Sequence, residues 1–190
     1  MVRKMKLPFL RRIWNDESGI ANVEFAFVLP VLITLLFGSF ELSRYVLLNL
    51  KLEKATYTVS DLVTQETSIS NSQLNQIMLA ASEIMTPYSI GEKGTIIVSS
   101  VYQENDVDPP VVRWQYTGGG TLPKSSTVGE VDDWATLPEG LSLADKDNLI
   151  IAEIFYEFTP YFSNEPIGSA SLHKMAFFKP RLGALTTTPN

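Results

Sequence analysis

Hydrophobic and polar positions alternate along this chain with three different periods in turn. Residues 20–40 (IANVEFAFVLPVLITLLFGSF) are almost continuously apolar, with Asn22 and Glu24 the only strongly polar side chains among them. A run of 21 residues matches the roughly 20 that a helix needs to cross a bilayer. Pro30 inside it predicts a kink, tolerated where neighbouring groups satisfy the freed carbonyl. Beyond Gly38 no breaker occurs until Ser68, so the helix is expected to continue to about Gln65, a rod of about 68 Å at 1.5 Å per residue. Its outer half is amphipathic. Tyr45, Leu48, Leu52, Ala55, Val59 and Leu62 recur at intervals of three and four, and the charged Arg44, Lys51, Glu53, Lys54 and Asp61 fall elsewhere around it. This stripe packs either against the chain's own domain or against helices of other subunits.

A second helix is announced by three signals that agree. Ser70 is an N-cap, Gln73 completes a capping box, and Ile69 is placed to staple onto Leu74. Leu74, Ile77, Met78, Ala81, Ile84 and Met85 form its apolar face, and Pro87 ends it. The period then shortens to two. Residues 95–103 and 111–116 predict an antiparallel hairpin around the turn-rich ENDVDPP, with Val112, Trp114 and Tyr116 on one face. Residues 149–158 place Ile150, Ala152, Ile154, Tyr156 and Phe158 on one face and Glu153 and Glu157 on the other. Residues 171–178 alternate less cleanly and end at Lys179-Pro180-Arg181. The fold class is therefore α+β: a long N-terminal helix and a second helix packed with an antiparallel sheet of about four strands.

Between the second and third strands, residues 117–148 are rich in Gly, Pro, Ser and Asp and predict a long loop peripheral to the core, so that shortening residues 118–126 should leave the fold intact. Trp134 is expected to pin part of it to the domain. The Asp132-Asp133 pair and the acidic run at 145–148 read as solvated turn and cap residues, because the loop lacks the spacing and glycine of an EF-hand. Glu41 and Arg44, three apart at the outer end of the apolar run, read as a solvated boundary pair.

Charge orients the chain. Residues 1–19 carry Arg3, Lys4, Lys6, Arg11 and Arg12 against Asp16 and Glu17, so the net charge of −6 deepens to −9 over the remainder. The basic end is expected to stay in the cytoplasm, which puts residues 41–190 outside the membrane as the folded domain. An acidic domain disfavours a nucleic-acid partner. The absence of cysteine removes thiol chemistry and thiolate metal sites. His173 is the single histidine, in an expected strand, and is read as structural; no P-loop, dinucleotide fingerprint or nucleophile elbow is present, and no cofactor or enzymatic activity is indicated.

A carboxylate inside an apolar span costs about 2.5 to 3.5 kcal/mol near its centre and calls for a partner or a function. Glu24 stands five residues after Gly19, behind a basic leader, and in this arrangement the sequence resembles a prepilin signal. The continuation VEFAFVLP with Gly38 and Glu41 resembles the TadE-like minor pseudopilins of tight-adherence (Tad) pili, as do Pro160 after the third strand and the terminal aromatic, Pro, Arg element. The resemblance implies a pilin-like fold and a cut after Gly19 by a prepilin peptidase, with Ile20 as the new N-terminus. It implies that Glu24 and Phe25 serve assembly, the carboxylate pairing with the Ile20 amine of a neighbouring subunit. Residues 1–19 would be the leader and residues 20–40 the span. The implied partners are other Tad pilins and pseudopilins, the inner-membrane assembly platform and the bilayer, and the implied role is assembly or initiation of a pilus for surface adhesion. Phe25 stands where Tad major pilins carry tyrosine, and the chain is longer than theirs, which favours a minor subunit. An uncleaved single-pass envelope protein with an outer binding domain and a membrane-tethered periplasmic enzyme are the other classes.

Overall fold

The computed structural model describes residues 18–162 and 168–190. Helix α1 (Ser18–Thr64) runs 47 residues through Pro30, and α2 (Asn71–Met85) follows a short turn. The start of α2 has the expected chemistry: the Ser70 hydroxyl accepts from the Gln73 N–H, and the Gln73 side chain accepts from the Ser70 N–H, so two end donors are satisfied reciprocally. Ile69 and Leu74 are both buried.

Four antiparallel strands follow, β1 (Gly94–Tyr102), β2 (Val111–Gly118), β3 (Asn148–Phe158) and β4 (Ala170–Phe178), in the order β2-β1-β3-β4. The hairpin β1–β2 forms one edge and β3–β4 the other, with the two longest-buried strands in the middle. Both helices lie on one face. There Leu48, Leu52, Ala55 and Val59 of α1 and Leu74, Met78 and Met85 of α2 meet Ile96, Val98, Trp114, Ile150, Ile154 and Phe158 of the sheet.

One expected face is interrupted. Ser100 pairs with Trp114 but Val101 pairs with Val112, so β2 carries one extra residue, Arg113, at a bulge. Because side chains alternate with period two, the extra residue sends Val112 to the opposite face from Trp114 and Tyr116. Trp114 and Tyr116 join the helix-side core, whereas Val112 packs with Val101, Val128, Leu149 and Ile151 on the other side.

That second face corrects the reading of residues 117–148 as peripheral. The loop lies across the sheet as a third layer, burying Leu122 against Ile97 and Phe155, and Val128 against Val112 and Ile151. It is held by backbone bonds from Thr121 N to Gly91 O (2.8 Å) and from Leu122 N to Gly94 O (3.1 Å). A β-carbon on Gly120 would collide with the Gly94 and Gly91 carbonyl oxygens, so only glycine fits this approach. Trp134 is not the pin: its side chain is 71% exposed, and only its backbone bridges to Val111.

The C-terminal tail seals the end of the sheet. Leu185 is buried, its carbonyl accepting from Trp114 Nε1 (2.8 Å) and Ser100 Oγ (2.6 Å), and its N–H donating to Asn148 Oδ1 (2.8 Å). Arg181 pairs with Asp61 of α1 and donates its N–H to the Thr64 carbonyl, an acceptor left over at the helix end.

Candidate functional site: the N-terminal helix and its junction with the domain

The first half of α1 is not packed into the domain core. Every residue from 19 to 36 is exposed, including Ile20, Glu24 and Phe25, and among the described residues no side chain or distant backbone comes within 4 Å of a β-carbon built on Gly19. One helix of the described residues, at 19–64, is long and apolar enough to cross a membrane, and none of its most apolar window is buried. Ser18 and Gly19 are the only residues of the expected leader that lie within the described part, so the basic side chains at 3–12 lie outside it.

Glu41 is the first buried residue of α1, and here the expected solvated pair is replaced by a closed cluster. Glu41 is 6% exposed. Its Oε1 lies 2.5 Å from Arg44 Nη1, and its Oε2 accepts from the Tyr161 N–H at 3.2 Å. The Arg44 guanidinium sits over the Tyr161 ring at 3.5 Å from its centroid and near Phe158 at 5.6 Å. Tyr88 donates its hydroxyl to the Arg44 carbonyl (2.8 Å), and burial, partly offset by Arg44, raises its pKa. The reason the sequence alone missed this is topological. Glu41 and Arg44 look outward until Tyr161, more than a hundred residues later, folds back over them.

Past the junction, the stripe turns inward. Leu48, Leu52 and Val59 are completely buried in the helix-side core, and Tyr45 packs edge-on to Phe158 at 5.3 Å. At the far end the fully buried position is Val63, while Leu62 is half-buried. The opposite side of the same turns leaves Leu42, Val46, Leu50 and Tyr57 exposed.

Residues 19–61 match the family of TadE-like proteins. The match covers less than a quarter of the chain, all of it within α1. No curated protein and no solved structure matches the chain. The TadE-like segment takes in the exposed apolar half of α1, Glu41 and Arg44, and the buried stripe to within a turn of the helix end, and it points to a protein associated with the Tad pilus.

A second polar cluster lies on the loop side of the sheet, remote from this segment. Glu153 of β3 is fully buried and accepts from Ser126, from the Thr127 hydroxyl (2.5 Å) and N–H (3.1 Å), and from His173 Nε2 of β4 (3.0 Å). Burial pushes the carboxyl pKa up, but the bonds from His173, Ser126 and Thr127 outweigh it and hold it below the usual carboxylate range. His173 stacks on Phe155 with centroids 4.3 Å apart. Three of the four bonds to Glu153 come from the loop and one from β4, so the carboxylate ties both to β3, and His173 is part of that fastening. Serine faces the carboxylate here, not the imidazole, so no nucleophile and base are paired. Among the described residues no three His, Asp or Glu side chains converge as a metal site. Asp147 and Asn148 are instead occupied by Lys179 and Ala144, and by Ser100 and Val101.

Proposed function

We propose that the chain is a minor pseudopilin of the Tad system, cut after Gly19 by a prepilin peptidase, held in the inner membrane by residues 20–40, and used with other Tad pilins and the assembly platform to build or initiate an adhesive pilus. The observation that carries this reading is the exposed apolar half of α1 within the TadE-like match, with Gly19 at its start and Glu24 one turn inside. Glycine leaves the backbone open to a peptidase, and no described residue of the domain shields this point. After the cut, the Ile20 amine and the Glu24 carboxylate would both be charges in an apolar setting, and pairing them between adjacent subunits relieves both.

The intact mass of the membrane-extracted protein tests the processing step. A chain beginning at Ile20 is expected; a chain of the full 190 residues from wild-type cells that make the peptidase would leave an uncleaved single-pass envelope protein. Gly19→Glu should keep the leader on. Glu24→Ala should insert and be processed, yet fail to co-purify with partner pilins; co-purification at the wild-type level together with normal piliation would sink the pairing.

A further inference from the structure

We infer that Tyr161 and Phe162, just after β3, make a second membrane contact, seated in the outer interface of the bilayer beside the span. The inference rests on reading residues 20–40 as membrane-spanning and adds a contact from the far side of the sequence. Tyr161 and Phe162 are 72% and 55% exposed, although they leave a strand whose other side chains are largely buried. The Phe162 ring lies 4.6 Å from Phe37 and 5.8 Å from Phe40, themselves 42% and 50% exposed on α1, and Tyr161 adds a third edge at 6.5 Å. Four aromatic rings thus form one apolar patch around the helix.

Its height on the helix identifies what covers it. From Ile20, the axis rises about 26 Å to Phe37 and about 30 Å to Phe40, against a hydrocarbon thickness of about 30 Å. The patch therefore falls at the outer boundary of the bilayer, where aromatic side chains concentrate because one end is apolar and the other wet. The polar groups follow in the matching order. Arg44 and Glu41, which hold Tyr161 from above, lie up to a turn further out, at headgroup height. With the helix and Tyr161–Phe162 both fixed at the interface, the sheet would ride close to the membrane and could not swing freely about the span.

The chain contains no cysteine, so single cysteines introduced into the full-length protein can each carry a nitroxide. In phospholipid nanodiscs, power saturation compares access of oxygen, which concentrates in lipid, with a water-soluble nickel chelate. Val28→Cys reports the span, and Val107→Cys, 90% exposed in the β1–β2 loop, reports water. Phe162→Cys is expected to favour oxygen, with a depth between those two, and Tyr161→Cys to lie shallower; Tyr161→Cys gives the reading where the Phe162 variant does not accumulate. A label at both positions that matches Val107, or that is shielded from both reagents, overturns the inference while Val28 still reads lipid. If Val28 also reads water, the span itself fails and this contact with it.

Discussion

The Arg44 guanidinium lies 3.5 Å from the centroid of the Tyr161 ring while its Nη1 contacts Glu41, so a helix residue is held from two sides by groups that sequence separates by more than a hundred positions. A planar, delocalised cation can stack and bond in its plane at once, and lysine cannot. Arg44→Lys should therefore lower the thermal midpoint of the full chain in detergent. Arg44→Ala strands a nearly buried Glu41 and should cost about 3 to 5 kcal/mol. A midpoint for the lysine variant equal to wild type would show that charge alone holds the junction.

Leu52 is completely buried and Leu50, two residues away on the same helix, is 60% exposed. Leu52→Ala should cost about 2 to 5 kcal/mol through lost burial and the cavity left behind. Leu50→Ala should change stability by no more than about 0.5 kcal/mol. Chemical denaturation of the two variants side by side checks the pair, and equal losses would contradict the burial of the stripe.

Deleting residues 118–126 should destabilise the domain, because the deleted piece contains Leu122, the Gly120 approach and the Ser126 bond to Glu153. Shortening a loop changes closure entropy by only about 0.6 kcal/mol per halving, so a larger loss belongs to these contacts. Gly120→Ala should reproduce part of it by forcing the loop off Gly91 and Gly94. Full retention of stability in both variants would return the segment to the periphery.

Glu153 makes stability depend on acid. Its folded pKa lies below the unfolded value near 4.5, so the folded state releases its proton more readily. The corresponding stabilisation is complete above the unfolded pKa and is lost as pH falls through it and then through the folded value. The stability difference between wild type and Glu153→Gln should therefore be largest near neutrality and shrink below about pH 4.5. Asp147, whose pKa is lowered by its bond from Lys179, falls out of this comparison because both proteins retain it. A difference independent of pH between 7 and 3 would show that the carboxylate is not what fastens the loop.

How far the sequence reached depended on whether a signal was local. The capping box at Ser70 and Gln73 joins residues three apart, and the stripe from Leu48 to Val59 follows from helical period alone, so both were readable in one dimension. The same holds for all four strands and for the apolar run that forms the exposed start of α1. The Val112 face was lost to a bulge, since one extra residue in β2 is visible only against the register of β1. Glu41, read as solvated, became buried because the connection after Phe158 returns to cover it.

By itself, then, the sequence determined the long helix, the second helix, the antiparallel pairing of the first hairpin and the place of Gly19 and Glu24 at the head of an apolar span, because each follows from spacing between near neighbours. Only the tertiary structure decided that residues 117–148 form a layer, that Leu185 closes the sheet end, that His173 and Glu153 meet, and that Tyr161 and Phe162 come to rest on Phe37 and Phe40. Those are contacts between distant segments whose polar or turn-rich composition looks like solvent-facing chain, and their burial is set by which surface they fold against.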